Sequence, residues 1–96
     1  AFTPHMCEAD ERVFAHAAAV WGDTRAGVLH GAGDLRQAIA AGAFAPERLA
    51  GDLADLCRAA VPPARGEGDI TVFKSVGTAL EDLVAARLCV DQQRAR

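Results

Sequence analysis

No apolar run in this chain approaches the roughly 18 residues that a membrane-spanning helix requires. Basic residues are too few and too scattered to make a stripe: ten Lys and Arg stand against 13 Asp and Glu, for a net charge of −3. The reading is therefore of a soluble chain with neither nucleic acid nor membrane as partner. No Gly-x-Gly-x-x-Gly follows a strand, and Gly31-Ala32-Gly33 only imitates one, because it follows a helical stretch. Cysteine is sparse and odd in number. Cys7, Cys57 and Cys89 lie far apart in mostly apolar surroundings, and together with His5, His16 and His30 they show no metal-ligand spacing. No secretory leader is read at the start, so free thiols in a reducing cytoplasm are the expected state. Aromatic residues make up only 5% of the chain while apolar residues reach 51%, many of them alanine, which indicates a helix-rich globular fold. At 96 residues it can build one small domain with a modest core.

Pro4 biases the opening residues toward extended or turning structure. A helix is expected from about Glu8 to His16, with Val13, Phe14 and Ala17 on its apolar side. Ala18 to Trp21 then forms a short apolar run ended by Gly22-Asp23, which suits a buried strand. Arg25 to His30 reads as one or two helical turns broken by Gly31 and Gly33, after which Asp34 can cap a second helix carrying Leu35, Ala38 and Ile39. Between Ala43 and Ala60, the spacing of Leu49, Leu53, Leu56 and Cys57 predicts a packed helix or two short ones, with Pro46 in a first turn. Residues 61–68 form the one obvious loop.

The most informative stretch follows that loop. An extended β-branched run, Ile70 to Phe73, stops at Lys74-Ser75-Val76-Gly77, and a long amphipathic helix runs from about Val76 to Val90. Its apolar face holds Val76, Leu80, Leu83, Val84 and Leu88, and its early Glu81 and Asp82 and late Arg94 and Arg96 suit the helix dipole. The span between Trp21 and Ile70 is long enough for a helical crossover joining parallel strands. The expected architecture is α/β: the tail of a Rossmann-like doubly wound sheet plus a long C-terminal helix. A Ser75 cap followed by Val76 and Gly77 would leave a hydroxyl and backbone N–H groups for a polar ligand, although an ordinary capped helix explains the same residues. Lys74 reads as a solvated charge at a strand end rather than a base or phosphate contact. Asp23 stands where α/β sheets place functional groups, and an Asp in a turn also needs no function.

The block from Ile70 to Leu88 resembles the pattern ITxFKSxGxAxEDLxAAxL that closes proteins of the ornithine cyclodeaminase and mu-crystallin family. Ala32-Gly33-Asp34-Leu35 matches that family's AGDL, Asp23-Thr24-Arg25 resembles the end of its VDxR strand, and Gly51-Asp52-Leu53 stands where GEL or GDL is usual. Ala1-Phe2-Thr3-Pro4 with Met6, Cys7 and Glu8 is similar to a GxFTPxMxEL segment of one branch. The resemblance implies that residues 1–96 are the C-terminal part of an NAD(P)H-dependent protein: a partial NAD(P)-binding domain with the helix that returns to the substrate domain. Ala1 in place of Met fits an internal start, and equally fits removal of an initiator Met. Ser75, Val76 and Gly77 are then cofactor contacts beside the nicotinamide, and Phe2 and Thr3 line the same pocket. In the cyclodeaminase branch the position of Phe2 carries an acidic residue that works on the substrate amine, and a phenyl ring cannot replace it. Reduction of a cyclic imino acid such as Δ1-pyrroline-2-carboxylate is therefore the implied chemistry, with ornithine cyclodeamination and a non-catalytic mu-crystallin-like binding role as alternatives. His5 would be the histidine to test as a proton donor. The resemblance further implies a missing N-terminal part or complementing chain, which would carry the Gly-rich loop and the basic residues for the substrate carboxylate. It also implies a homodimer when that part is present.

Overall fold

The computed structural model describes residues 5–59 and 63–95. Three strands, β1 (Ala19–Gly22), β2 (Leu49–Asp52) and β3 (Thr71–Lys74), form a wholly parallel sheet in the order β2-β1-β3. Ahead of β1 lies α1 (Glu11–His16). Helices α2 (Arg25–Gly31) and α3 (Gly33–Ala40), with a 3-10 turn at Pro46–Arg48, connect β1 to β2. The short α4 (Leu53–Arg58) follows β2, and α5 (Ala79–Arg94) follows β3. The expected pairing of the two apolar strands is present, with Val20 opposite Val72 and Trp21 opposite Phe73.

Local chemistry sets these boundaries. The Asp10 carboxylate accepts from the N–H groups of Arg12 and Val13, so α1 begins at Glu11 and not at Glu8. Thr24 Oγ accepts from Gly27 N–H to start α2. At α4 a reciprocal box joins Asp52 and Asp55, each carboxylate accepting the other's backbone N–H at 3.0 Å. That N–H of Asp55 holds the Asp52 carboxyl below its ordinary range.

Alternation along the strands divides the sheet into two faces. Val20, Leu49 and Lys74 are buried on the face covered by α1, α2 and α3, where Phe14, Val28, Leu35, Ala38 and Phe44 complete the core. Burying side chains of this size contributes about 1.5–3 kcal/mol each. Trp21 and Phe73 point to the opposite face, where Leu56 of α4 and residues 63–65 border a groove with them. The chain thus leaves β1 in one direction through α2 and α3, then returns across β1 to β3 through α4 on the other side. Reversing the direction of right-handed crossovers places the helices on opposite faces, which is the doubly wound arrangement.

Two expectations need correction. The span from Ala43 to Ala60 is neither one helix nor two. Its 3-10 turn, β2 and single helix α4 arise because residues 49–52 extend beside β1, with Leu49 opposite Val20 on the core face and Gly51 opposite Trp21 after a shift in register, while only residues 53–58 wind. The last helix starts at Ala79, not Val76, because Thr78 Oγ accepts from Glu81 N–H. It then runs on to Arg94. α5 buries none of the apolar residues expected to share one face: Leu80, Leu83, Val84 and Leu88 are all exposed, and Val76 lies before its first turn. The radius of gyration, 15.2 Å, exceeds the about 12.5 Å of a compact domain of this length, consistent with a helix that finds little packing within the described residues. Among these residues no helix is long and apolar enough to cross a membrane.

Gly22 is required at the end of β1. A Cβ there would lie 2.6 and 3.0 Å from the two Val28 methyl carbons, and Val28 is fully buried. Gly22→Ala is expected to destabilise the protein by about 1–3 kcal/mol through overpacking. Adding Val28→Ala should recover part of that loss, which a double-mutant cycle on thermal stability would reveal.

Candidate functional site

All three strands deliver their C-terminal ends to one region. Asp23 and Thr24 follow β1, Asp52 ends β2 with Leu53 after it, and Ser75, Val76 and Gly77 follow β3. Asp23 joins them. Its backbone N–H donates to Lys74 O at 3.0 Å, and its carbonyl accepts from Leu53 N–H at 3.4 Å. Its carboxylate reaches across to the β3–α5 turn, where Oδ2 accepts from Ser75 Oγ at 3.0 Å, Val76 N–H at 3.1 Å and Gly77 N–H at 2.9 Å. Oδ1 accepts from Thr24 N–H at 2.9 Å. Gly77 has φ +83°, a left-handed conformation that a side chain would oppose.

Three of the proposed contact residues, Ser75, Val76 and Gly77, therefore sit together at the strand ends. Ser75 is not the helix cap expected of it. Its hydroxyl and the next two N–H groups are already donated to Asp23, and the cap is Thr78. Phe2 and Thr3 lie outside the described residues. Asp23, read equally as a turn residue and as a functional one, is 4% exposed and is the hub of this region. Burial alone raises its pKa, but the N–H groups of Gly77 and Thr24, the Ser75 hydroxyl and the N–H of Val76 together outweigh that and hold it below the ordinary 3.8.

The sign of the pH effect follows. A carboxyl whose folded pKa lies below its unfolded one contributes stability that is fully present above the unfolded value and is lost as pH falls through the folded value. Acidification below about pH 4 should therefore remove this contribution. Thermal melts of wild type and Asp23→Asn are expected to converge on going from neutral pH to that range.

Lys74 is a second correction. It is 6% exposed rather than solvated, and its Nζ lies 2.9 Å from Asp34 Oδ2 and 3.5 Å from Glu8 Oε2. The reason lies in strand alternation: Lys74 stands two residues after Val72 and so faces the helical layer. Asp34 in turn is no cap, since α3 begins at Gly33 after Ala32. Its side chain is buried, accepting from Lys74, from Glu8 N–H at 3.1 Å and from Leu35 N–H at 2.8 Å. His5 borders a shallow surface hollow with Arg36, Gln37 and Ala40. The three cysteines are free and exposed.

Beside the Asp23 hub lies a mainly apolar groove of about 280 Å³, lined by Thr24, Leu53, Ala54, Cys57, Thr78, Leu80, Glu81 and Asp23 itself. Glu81 Oε2 is buried there without a hydrogen-bond partner. An apolar slot with a few polar groups at the carboxyl ends of parallel strands is where α/β proteins of the doubly wound class bind ligands.

Comparison with known proteins gives that class a narrower meaning. The chain is 42% identical over 86 residues to the Δ1-pyrroline-2-carboxylate reductase of Paracoccus denitrificans, an alignment covering 90% of this chain and 27% of the relative. It is 47% identical over 94 residues to an uncharacterised protein of Schizosaccharomyces pombe, covering 91% of this chain and 27% of that protein. The Δ1-pyrroline-2-carboxylate reductase of Thermococcus litoralis, solved in complex with NADH and L-proline, superposes with a TM-score of 0.77 at 27% identity over 88% of this chain and 26% of its own. No family model matches the chain. Over most of its length the chain is similar to these Δ1-pyrroline-2-carboxylate reductases, the relationship that the block from Ile70 to Leu88 implied. It spans about a quarter of the length of the curated relatives it matches.

Proposed function

We propose that this chain is the C-terminal part of a cytoplasmic NAD(P)H-dependent reductase that converts a cyclic imino acid of the Δ1-pyrroline-2-carboxylate type to its amine. The observation that carries the reading is the convergence of β1, β2 and β3 on a turn, Ser75 to Gly77, beside an apolar groove. Support comes from a similarly folded reductase whose complex holds NADH and L-proline.

The residues fit one end of a dinucleotide better than the other. The donors of Ser75, Val76 and Gly77 are taken by Asp23, so a phosphate gains nothing from them. The groove offers apolar walls from Leu53, Ala54 and Leu80 for a flat ring, and an unpartnered acceptor, Glu81 Oε2, for a donor on it. Ser75, Val76 and Gly77 are thus assigned to the nicotinamide side of the cofactor, and Phe2 and Thr3 are assigned with them from the sequence resemblance alone. NAD(P)H, when bound, supplies the hydride that the imine carbon accepts. The part played by these residues is orientation: the turn is held by Asp23, and a fixed edge at the groove reduces the freedom the reacting groups would otherwise keep.

The pyrophosphate loop and the groups that grip the substrate carboxylate are assigned to the rest of the protein. The uncovered face of α5 is assigned to packing against that rest, with the complete protein a homodimer. The test is made on the full-length protein with Δ1-pyrroline-2-carboxylate and NADH or NADPH, following loss of the reduced nicotinamide's absorbance. Turnover to proline is expected. Tight cofactor binding without oxidation across several cyclic imines would replace the reductase reading with a binding role, and release of ammonia and proline from ornithine would replace it with cyclodeamination.

A further inference from the structure

We propose that Asp23 is a positioning residue whose carboxylate fills the cradle of donors made by Ser75, Val76 and Gly77, closing the turn to anions so that the adjoining groove admits an uncharged, donor-bearing part of the ligand. The inference deepens the cofactor reading of this turn and rests on it for the identity of that ligand. Three donors converging within 3.1 Å on one oxygen form a nest that would otherwise suit a phosphate or carboxylate. Asp23 supplies that anion from within the chain, from a residue 52 to 54 positions away. The turn is therefore preorganised before any ligand arrives.

The same residue fixes the turn's position relative to the other two strand ends. Its backbone accepts from Leu53 and donates to Lys74, so the point from which the carboxylate reaches is tied to the ends of both β2 and β3. Charge at the groove points the same way. Asp23 and Glu81 both line it, and among the described residues Glu81 Oε2 has no partner and neither lysine nor arginine borders the groove. An anionic group entering there would meet two carboxylates and no cation. A carboxamide or hydroxyl would bring the donor that Glu81 Oε2 lacks.

The experiment uses the full-length protein and two anions as probes, formate and sulfate, at matched ionic strength. Asp23→Ala empties the cradle, so formate is expected to raise the melting temperature of that variant by several degrees more than it raises wild type. Equal responses of the two proteins would overturn the assignment. Asp23→Asn keeps the shape but turns an amide toward at least one donor. It is expected to weaken NADH binding about tenfold or more and to raise the KM for cofactor more than it lowers kcat. NADH affinity equal to wild type in Asp23→Asn would also overturn the proposal. If Asp23→Ala does not accumulate, the cradle is tested in wild type and Ser75→Ala. Sulfate should protect the two equally, through the pyrophosphate loop alone, and protection of wild type that Ser75→Ala loses would show that the turn is open to anions. The two readings fail differently: wild type that never binds NADH sinks the cofactor assignment while leaving the formate response of Asp23→Ala as the measure of the cradle.

Discussion

Replacing Asp34 with alanine is expected to destabilise the protein by about 3–5 kcal/mol, the usual consequence of stripping one partner from a buried ion pair. The cost does not come from the pair's own attraction, which is offset by the desolvation of both charges. It comes from Lys74, whose ammonium lies 2.9 Å from Asp34 Oδ2 on a side chain almost wholly buried under the helical layer. Glu8 Oε2, at 3.5 Å and on a largely exposed side chain, is too solvated to take over. The backbone N–H groups of Glu8 and Leu35 lose their acceptor as well. Lys74→Met should cost less when combined with Asp34→Leu than Asp34→Ala costs alone, because the double change removes both charges from the interior. Hydrogen exchange at the Leu35 and Val72 amides of the full protein would locate the loss. If Asp34→Ala proved neutral while Lys74 kept its charge, the burial argument would be wrong. The effect should extend to function, since Lys74 immediately precedes Ser75 and anchors the strand from which the Asp23-bound turn emerges.

How much of this was legible before the structure depends on how local each signal was. The pairing of β1 with β3 could be read because both strands are apolar and the crossover between them is long enough. β2 could not. Its residues Leu49, Ala50, Gly51 and Asp52 include no β-branched or aromatic side chain, so only its place beside β1 makes it a strand. At α3 the caps were misread because Asp34 has a non-local partner, and its burial against Lys74 outranks the local preference of Asp for a helix start. Thr78 with Glu81 three residues later was a readable cap signal, competing with the Ser75 that precedes it by three positions. The burial of Lys74 was readable too, from its two-residue offset to Val72. Asp23 is different in kind. Its position at a strand end was visible, but no spacing rule connects it with donors more than 50 residues away. Likewise the apolar residues of α5 could be named from the sequence, whereas their lack of cover depends on what the rest of the fold contributes.

Phe14→Ala is the second large effect expected, a loss of about 3–5 kcal/mol. Phe14 is fully buried in α1 and meets Phe44 edge to face, with ring centroids 6.3 Å apart. Phe44 is held on its other side by Arg48, whose guanidinium lies 5.1 Å from the ring centre while its Nη2 donates to Ala17 O at 3.3 Å. Removing the Phe14 ring therefore opens a cavity and also loosens the clasp between the end of α1 and the turn that leads into β2. α1 has only six residues and would not be stable alone, so it should lose order before the sheet does. Phe14→Leu, which refills most of the volume, is expected to cost markedly less. Hydrogen exchange should show early opening of α1 and of the Glu8 N–H bonded to Asp34, with the β1–β3 ladder protected for longer. The consequence for the site runs through Lys74: once the segment around Glu8 detaches, one of the two carboxylates facing that ammonium leaves. Cofactor affinity of the full protein should fall less than for Asp23→Asn, because the Asp23 cradle is built from β1 and the β3–α5 turn and not from α1. The opposite ranking would mean that the N-terminal segment, rather than Asp23, controls the shape of the Ser75 turn.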